Sequence, residues 1–188
     1  MSRTILNLGS GKDIRQGMIN VDVTKYEGVN QVVDLNKFPW PWEDGSIDGV
    51  HAYHIIEHFP DQDKFIFECL RILKKGGFLR LRLPHSSCVS SVGCWGHYRT
   101  YSYDAANDYL TRDFYVYKKA VFKTVEQKLL WWSETIDVQG CLPTPCYWFV
   151  KIMNPIINFL IRLHPRIFEN CFSNLIQCRE VIWKGVKL

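Results

Sequence analysis

Residues 5–23 read ILNLGSGKDIRQGMINVDV: a strand-type apolar run ends at Leu8, Gly-Ser-Gly follows, and a second run begins about ten residues later and ends on Asp22. Gly9 and Gly11 permit positive φ and close backbone approach to a ligand. A carboxylate at the end of the next parallel strand can accept both hydroxyls of a ribose. The alternative use of the same residues is a tight turn between two strands. There is no G-x-G-x-x-G, and the connection is too short for the long helix of a dinucleotide fold, so the pattern does not ask for a pyrophosphate. A P-loop lysine is absent too.

Further runs of strand type, NQVVDL, SIDGVHAY and GFLRLRL, continue to residue 83, with loops or helical spacing between them. That alternation predicts a parallel α/β sheet. Residues 61–74 predict a helix: Pro60 and two early aspartates suit its start, Phe65, Ile66, Cys69, Leu70, Ile72 and Leu73 form an apolar stripe, and Lys74, Lys75 and Gly76 close it. Beyond it, 84–101 is a long, polar, small-residue segment of the kind compact domains reserve for functional loops. Residues 102–111 predict a short helix, 116–132 a long strand and 178–188 a final strand. Residues 140–172 form an insertion between the last two strands.

The 188 residues, 47% of them hydrophobic, suffice for one buried domain over 1–188. A net charge of +4, with 23 basic residues scattered among 19 acidic ones, does not announce a nucleic-acid partner. Seven cysteines are an odd number, and no leader pattern precedes the first strand. A reducing, cytoplasmic compartment is the expectation.

Residues 5–85 resemble a class I S-adenosylmethionine-dependent methyltransferase of the small type 11 branch, in which the first helix is shortened. The resemblance rests on LNLGSG, INVDV, VVDLNKFPWPWEDGSIDGVHAYHIIEHF and ECLRILKKGGFLRLRLPH, in the family's order. It implies a Rossmann-like sheet, mostly parallel with an antiparallel last strand between the fifth and sixth, and helices on both faces. It also implies S-adenosylmethionine as cofactor, with Gly9, Ser10, Gly11, Asp22, Asp34, Leu35 and Tyr53 as its binding residues. Asp34 with Leu35 matches the pair that meets the adenine, although Asp34 also suits a turn cap. Lys12 could reach the methionine carboxylate or simply be solvated.

His54, Glu57 and His58 follow the fourth strand, where the family's substrate meets the methyl group, and could share one helical face. They either line the site or brace the helix below the cofactor; a metal there lacks an obvious fourth ligand. His85, Cys88, Cys94 and His97 could bind zinc, but their spacing is not a standard one, and the preferred reading is loop residues lining the substrate entrance. His97, Arg99, Tyr101 and Ser102 match a sequence that recurs in related methyltransferases. His54 and His97 are the candidate catalytic residues, as bases for a hydroxyl-bearing acceptor such as a sugar. No metal is assigned.

The chain opens on its first strand, so 84–101 and 140–172 are the expected cover of the active site. In the latter, Trp148, Ile152, Ile156, Phe159 and Leu163 form an apolar stripe that suits buried core and, alternatively, membrane-surface contact through 147–163. Two rival functions remain open. One is an RNA-modifying methyltransferase using Lys118, Lys119, Lys123, Trp131 and Trp132; the other is a non-catalytic cofactor-binding module.

Overall fold

The computed structural model describes residues 3–111, 120–132, 144–173 and 175–188. Strands β1 (Ile5–Leu8), β2 (Ile19–Asp22), β3 (Gln31–Val32), β4 (Ile47–Tyr53), β5 (Leu73–Pro84), β6 (Phe122–Leu130) and β7 (Glu180–Lys187) form one sheet in the order β3-β2-β1-β4-β5-β7-β6. β1 to β5 pair in parallel, and β7 runs antiparallel to both β5 and β6. The expected sheet and its reversed last strand are therefore present.

Alternation along the strands sorts the side chains by face. Leu6, Leu8, Val50, Ala52, Leu79, Leu81, Leu83 and Trp183 share one face by register and are buried. α1 (Gln62–Ile72) and α3 (Ala105–Thr111) bring Phe65, Ile66, Cys69, Ile72, Ala106 and Leu110 into the same core. Asp61 caps α1 by accepting from the Lys64 amide at 3.1 Å. The helix ends at Ile72, two residues before its predicted end, because Leu73 already starts β5.

The opposite face carries Asn7, Asn20, His51, Tyr53, Arg80, Arg82 and Lys184 by the same register. The connections 9–18, 23–30 and 33–46 contain no helix. Two buried asparagines shape the first of them. Asn7 Nδ2 donates to the Asp13 carbonyl at 2.8 Å and to Asn20 Oδ1 at 3.0 Å, while Asn20 Oδ1 also accepts from the Arg15 amide at 2.9 Å. Side-chain bonds thus hold a connection that has no helical ladder of its own.

The predicted third strand, 30–35, shrinks to two residues, and the sixth begins at Phe122; residues 112–119, which include Lys118 and Lys119, lie outside the described residues. Lys123 is exposed, whereas Trp131 packs against the core and Trp132 lies 4.0 Å below the Arg179 guanidinium. The segment 84–101 contains a single helical turn, α2 (Val89–Val92). The insertion forms α4 (Thr144–Leu163) and α5 (Pro165–Phe172), with 140–143 outside the described residues.

α4 packs on β6, the edge strand, where Asn158 Oδ1 accepts from the Trp131 amide at 2.7 Å. Its orientation is the reverse of the core reading. Val150, Asn154, Asn158 and Ile161 are buried, and Trp148, Ile152, Ile156, Phe159 and Leu163 are 49–62% exposed. The periodicity located the helix, but the inward face carries Asn158, which accepts from the Trp131 amide, and Asn154, which accepts from Asn158 Nδ2 at 2.8 Å, rather than the apolar stripe.

Candidate active site

The carboxyl ends of β1 and β2 converge on the Gly-Ser-Gly turn. Gly9 and Gly11 adopt φ of +63° and +50°, which a side chain would resist. A Cβ on Gly9 would come within 2.6 Å of Ile55 Cδ1, so Gly9 is required by packing from behind. A Cβ on Gly11 would meet nothing within 4 Å; its bare side faces open space. Ser10 donates its amide to the Val21 carbonyl at 2.9 Å, and its buried hydroxyl has no hydrogen-bond partner among the described residues.

Asp22 stands across this turn. Its Oδ2 accepts from the Gly11 amide at 2.8 Å and its Oδ1 from the Thr24 amide at 2.9 Å, which orients both oxygens and leaves each with a spare lone pair. Asp34 Oδ1 accepts from the Asn36 amide at 3.1 Å, and this bond holds its carboxyl below the usual range. Leu35 turns its side chain into the core and gives its carbonyl to Trp40 Nε1 at 3.0 Å. Lys12, Ile14, Tyr26, Glu27 and Gly28 line a hollow of about 550 Å³ beside the turn. Tyr53 ends β4 on the polar face, its ring beneath the guanidinium groups of Arg15 and Arg82 at 4.4 and 5.2 Å.

After β4 the chain makes a sharp turn at His54, a non-glycine residue with φ of +50°, and enters a 3₁₀ turn over Ile56–His58. His54 Nε2 lies 3.0 Å from Glu180 Oε1 and its Nδ1 3.4 Å from Glu57 Oε1; Arg82 Nη2 donates to the other Glu180 oxygen at 2.5 Å. Burial opposes the imidazolium, but Glu180 first and Glu57 second outweigh it and raise the His54 pKa to about 9. His54 was expected to accept a proton; flanked by two carboxylates it is already protonated at neutral pH. No local pattern signals this, because Glu180 lies 126 positions away.

The segment 84–101 docks on the 3₁₀ turn. The Tyr98 amide donates to the Glu57 carbonyl at 2.8 Å, and His58 Nδ1 bonds the Gly96 carbonyl at 2.9 Å. The His97 ring stands edge-on to that of His58, with centroids 4.8 Å apart, and its Nδ1 bonds the Ser91 carbonyl at 2.9 Å. The four candidate zinc ligands are not brought together. His85 is turned into the protein, between Ser87 Oγ at 2.9 Å and Glu169 Oε1 at 3.0 Å, and Cys88 faces Ser90. A cavity of about 260 Å³ opens next to the turn, lined by Ile56, Gln62, Arg99, Tyr101, Tyr109 and Leu110 among others.

Residues 8–81 match the sequence profile of a family described as "Methyltransferase domain". The fold is Rossmann-like and matches that of solved methyltransferases. It is similar over its full depth to a SAM-dependent methyltransferase from Archaeoglobus fulgidus, with a TM-score of 0.56, 17% identity and coverage of 98% of this chain and 86% of that one. The YcgJ protein of Bacillus subtilis superposes with a TM-score of 0.58 at 17% identity, covering 99% and 92% of the two chains. Among curated sequences, "Probable S-adenosylmethionine-dependent methyltransferase Rv3030" of Mycobacterium tuberculosis is 36% identical over 55 residues, 29% of this chain and 20% of that protein. A Mycolicibacterium smegmatis relative carrying the same description is 40% identical over 52 residues, 28% and 20% of the respective chains. The chain therefore spans about one fifth of the length of the curated relatives it matches. The methyltransferase fold places the Gly9–Gly11 turn and Asp22 at the carboxyl ends of adjacent strands, next to β4 and its histidine-rich turn.

Proposed function

We propose that the protein transfers a methyl group from S-adenosylmethionine to a small hydroxyl-bearing acceptor, of which a sugar is the specific case. The observation that carries this reading is the pair formed by the bare, open side of Gly11 and the oriented carboxylate of Asp22. Gly9, Ser10 and Gly11 supply a backbone cradle, Asp22 accepts from the ribose hydroxyls, and Asp34, Leu35 and Tyr53 border the adenine end and the strand end. The residues fit this group: the turn leaves room where a side chain would block it, and the Ser10 hydroxyl still needs a partner.

When bound, S-adenosylmethionine supplies a sulfonium methyl. What this chain contributes is position: orienting an acceptor oxygen and keeping water away is worth about 7–11 kcal/mol in well-aligned reactions. His54, held as an imidazolium, places positive charge beside β4 and keeps Glu57 and Glu180 in register. His97 has Nε2 as its uncommitted ring nitrogen and is the residue of this pair that can meet an acceptor's proton.

Contact of 147–163 with a lipid interface belongs to the same reading, supported by the outward apolar stripe of α4. Among the described residues no helix is long and apolar enough to cross a membrane. Incubating the purified protein with methyl-labelled cofactor and separate panels of sugars, nucleotide sugars, lipids and RNAs tests the proposal. Label in a sugar or lipid headgroup hydroxyl supports it; label in RNA alone, or in none of them, overturns it.

A further inference from the structure

We propose that Glu57, His58 and His97 form a binding site for a first-row transition dication, with zinc as the type case. A carboxylate oxygen of Glu57 and one ring nitrogen from each histidine lie within 4.8 Å of one another, the spacing of ligands around a shared ion. Glu57 is fully buried, and among the described residues neither of its oxygens accepts a hydrogen bond, so its charge is offset by the His54 imidazolium that it shares with Glu180. His54 approaches one oxygen, at 3.4 Å, and leaves the other without a charged partner among the described residues.

The histidines are prepared in the manner of metal ligands. Each gives Nδ1 to a backbone carbonyl, of Gly96 for His58 and of Ser91 for His97. A carbonyl only accepts, so Nδ1 carries the proton in both rings and Nε2 is the nitrogen with a free lone pair. His58 is exposed and His97 half-buried, so the cluster is open on one side for entry and for a further ligand. Two imidazoles and a carboxylate with an open position suit zinc, cobalt or iron(II) and not magnesium, which prefers an all-oxygen shell. The reading of four zinc ligands on one loop is thereby replaced: His97 leaves His85, Cys88 and Cys94 and joins the 3₁₀ turn.

The site belongs to the 3₁₀ turn whose Ile56 lines the 260 Å³ cavity; a dication held there would supply Lewis acidity to an acceptor hydroxyl that reaches it, and His97 is then a ligand rather than a free base. That use rests on the methyl-transfer reading; the site itself does not. Calorimetric titration of chelator-treated full-length protein with Zn²⁺ tests the site, with Co²⁺ used for its visible spectrum and S-adenosylhomocysteine titrated separately. We expect one equivalent of Zn²⁺ to bind, a Co²⁺ spectrum without a thiolate band, and a loss of at least about 10–100-fold in affinity for His58→Gln and for His97→Gln. His58 is exposed and His97 half-buried, so these substitutions report even where Glu57→Gln fails to fold. Absence of binding, a thiolate band, or unchanged affinity in the double histidine variant overturns the proposal. S-adenosylhomocysteine binding that persists in any of those cases leaves the cofactor reading standing, and its loss in the wild type sinks that reading alone.

Discussion

The backbone amide of Gly11 donates to Oδ2 of Asp22 at 2.8 Å, so the turn that leaves β1 orients the carboxylate that ends β2. The two glycines of this turn have different duties. Gly9→Ala drives a methyl into Ile55 and also strains the backbone, at a combined cost of roughly 2–5 kcal/mol of stability. Gly11→Ala meets no protein atom and costs only the backbone term, about 1–2 kcal/mol, while placing its methyl in the space assigned to the cofactor. Urea denaturation of both variants should show that order. Equal stabilities would mean that Ile55 does not back the turn.

Acid should weaken the fold through His51 before the carboxylates titrate. Burial first, then Arg15, Arg80 and Lys184, lower its pKa to about 4, against a smaller opposing effect of Asp13. The unfolded chain takes up the proton near pH 6.5 and the native chain only near pH 4. Between those values the unfolded state binds more protons, and stability falls as pH drops, by about 3 kcal/mol at the lower end. His51→Gln should flatten this part of the stability curve relative to the wild type. Parallel curves for the two proteins would show that His51 charges freely in the native state.

The two faces of α4 should answer mutation in opposite ways. Ile152→Ser and Phe159→Ser alter exposed positions and should leave stability within about 0.5 kcal/mol each. Ile161→Ala opens a fully buried site and should cost about 2–5 kcal/mol. Thermal melts with calorimetric enthalpies decide it: a large loss from either serine variant would mean that the apolar stripe is core after all.

The strand runs to residue 83, the glycine turn and the acid after β2 were legible because they are local: each is carried by a run of residues in one place. What could not be read depends on partners distant in the chain. The charge state of His54 is set chiefly by Glu180, the first connection is held by Asn7 and Asn20, and His97 meets Glu57 and His58 because the Tyr98 amide and the Gly96 carbonyl tie the segment 84–101 to the 3₁₀ turn. Local spacing grouped His97 with His85, Cys88 and Cys94, yet His85 is pulled the other way by Glu169 on α5. The stripe on α4 was seen and its direction was not, since periodicity fixes which residues share a face and says nothing of which face turns inward.

The cradle is the centre of the account, and calorimetric titration of S-adenosylhomocysteine into the wild type and Asp22→Ala examines it most directly. One equivalent should bind to the wild type. Removing a charged acceptor should weaken binding by about 1.5–3 kcal/mol, roughly a 10- to 150-fold rise in Kd, with the variant still folded by circular dichroism. A wild-type protein that does not bind, or a folded Asp22→Ala that binds equally well, would contradict the assignment of this turn to the cofactor.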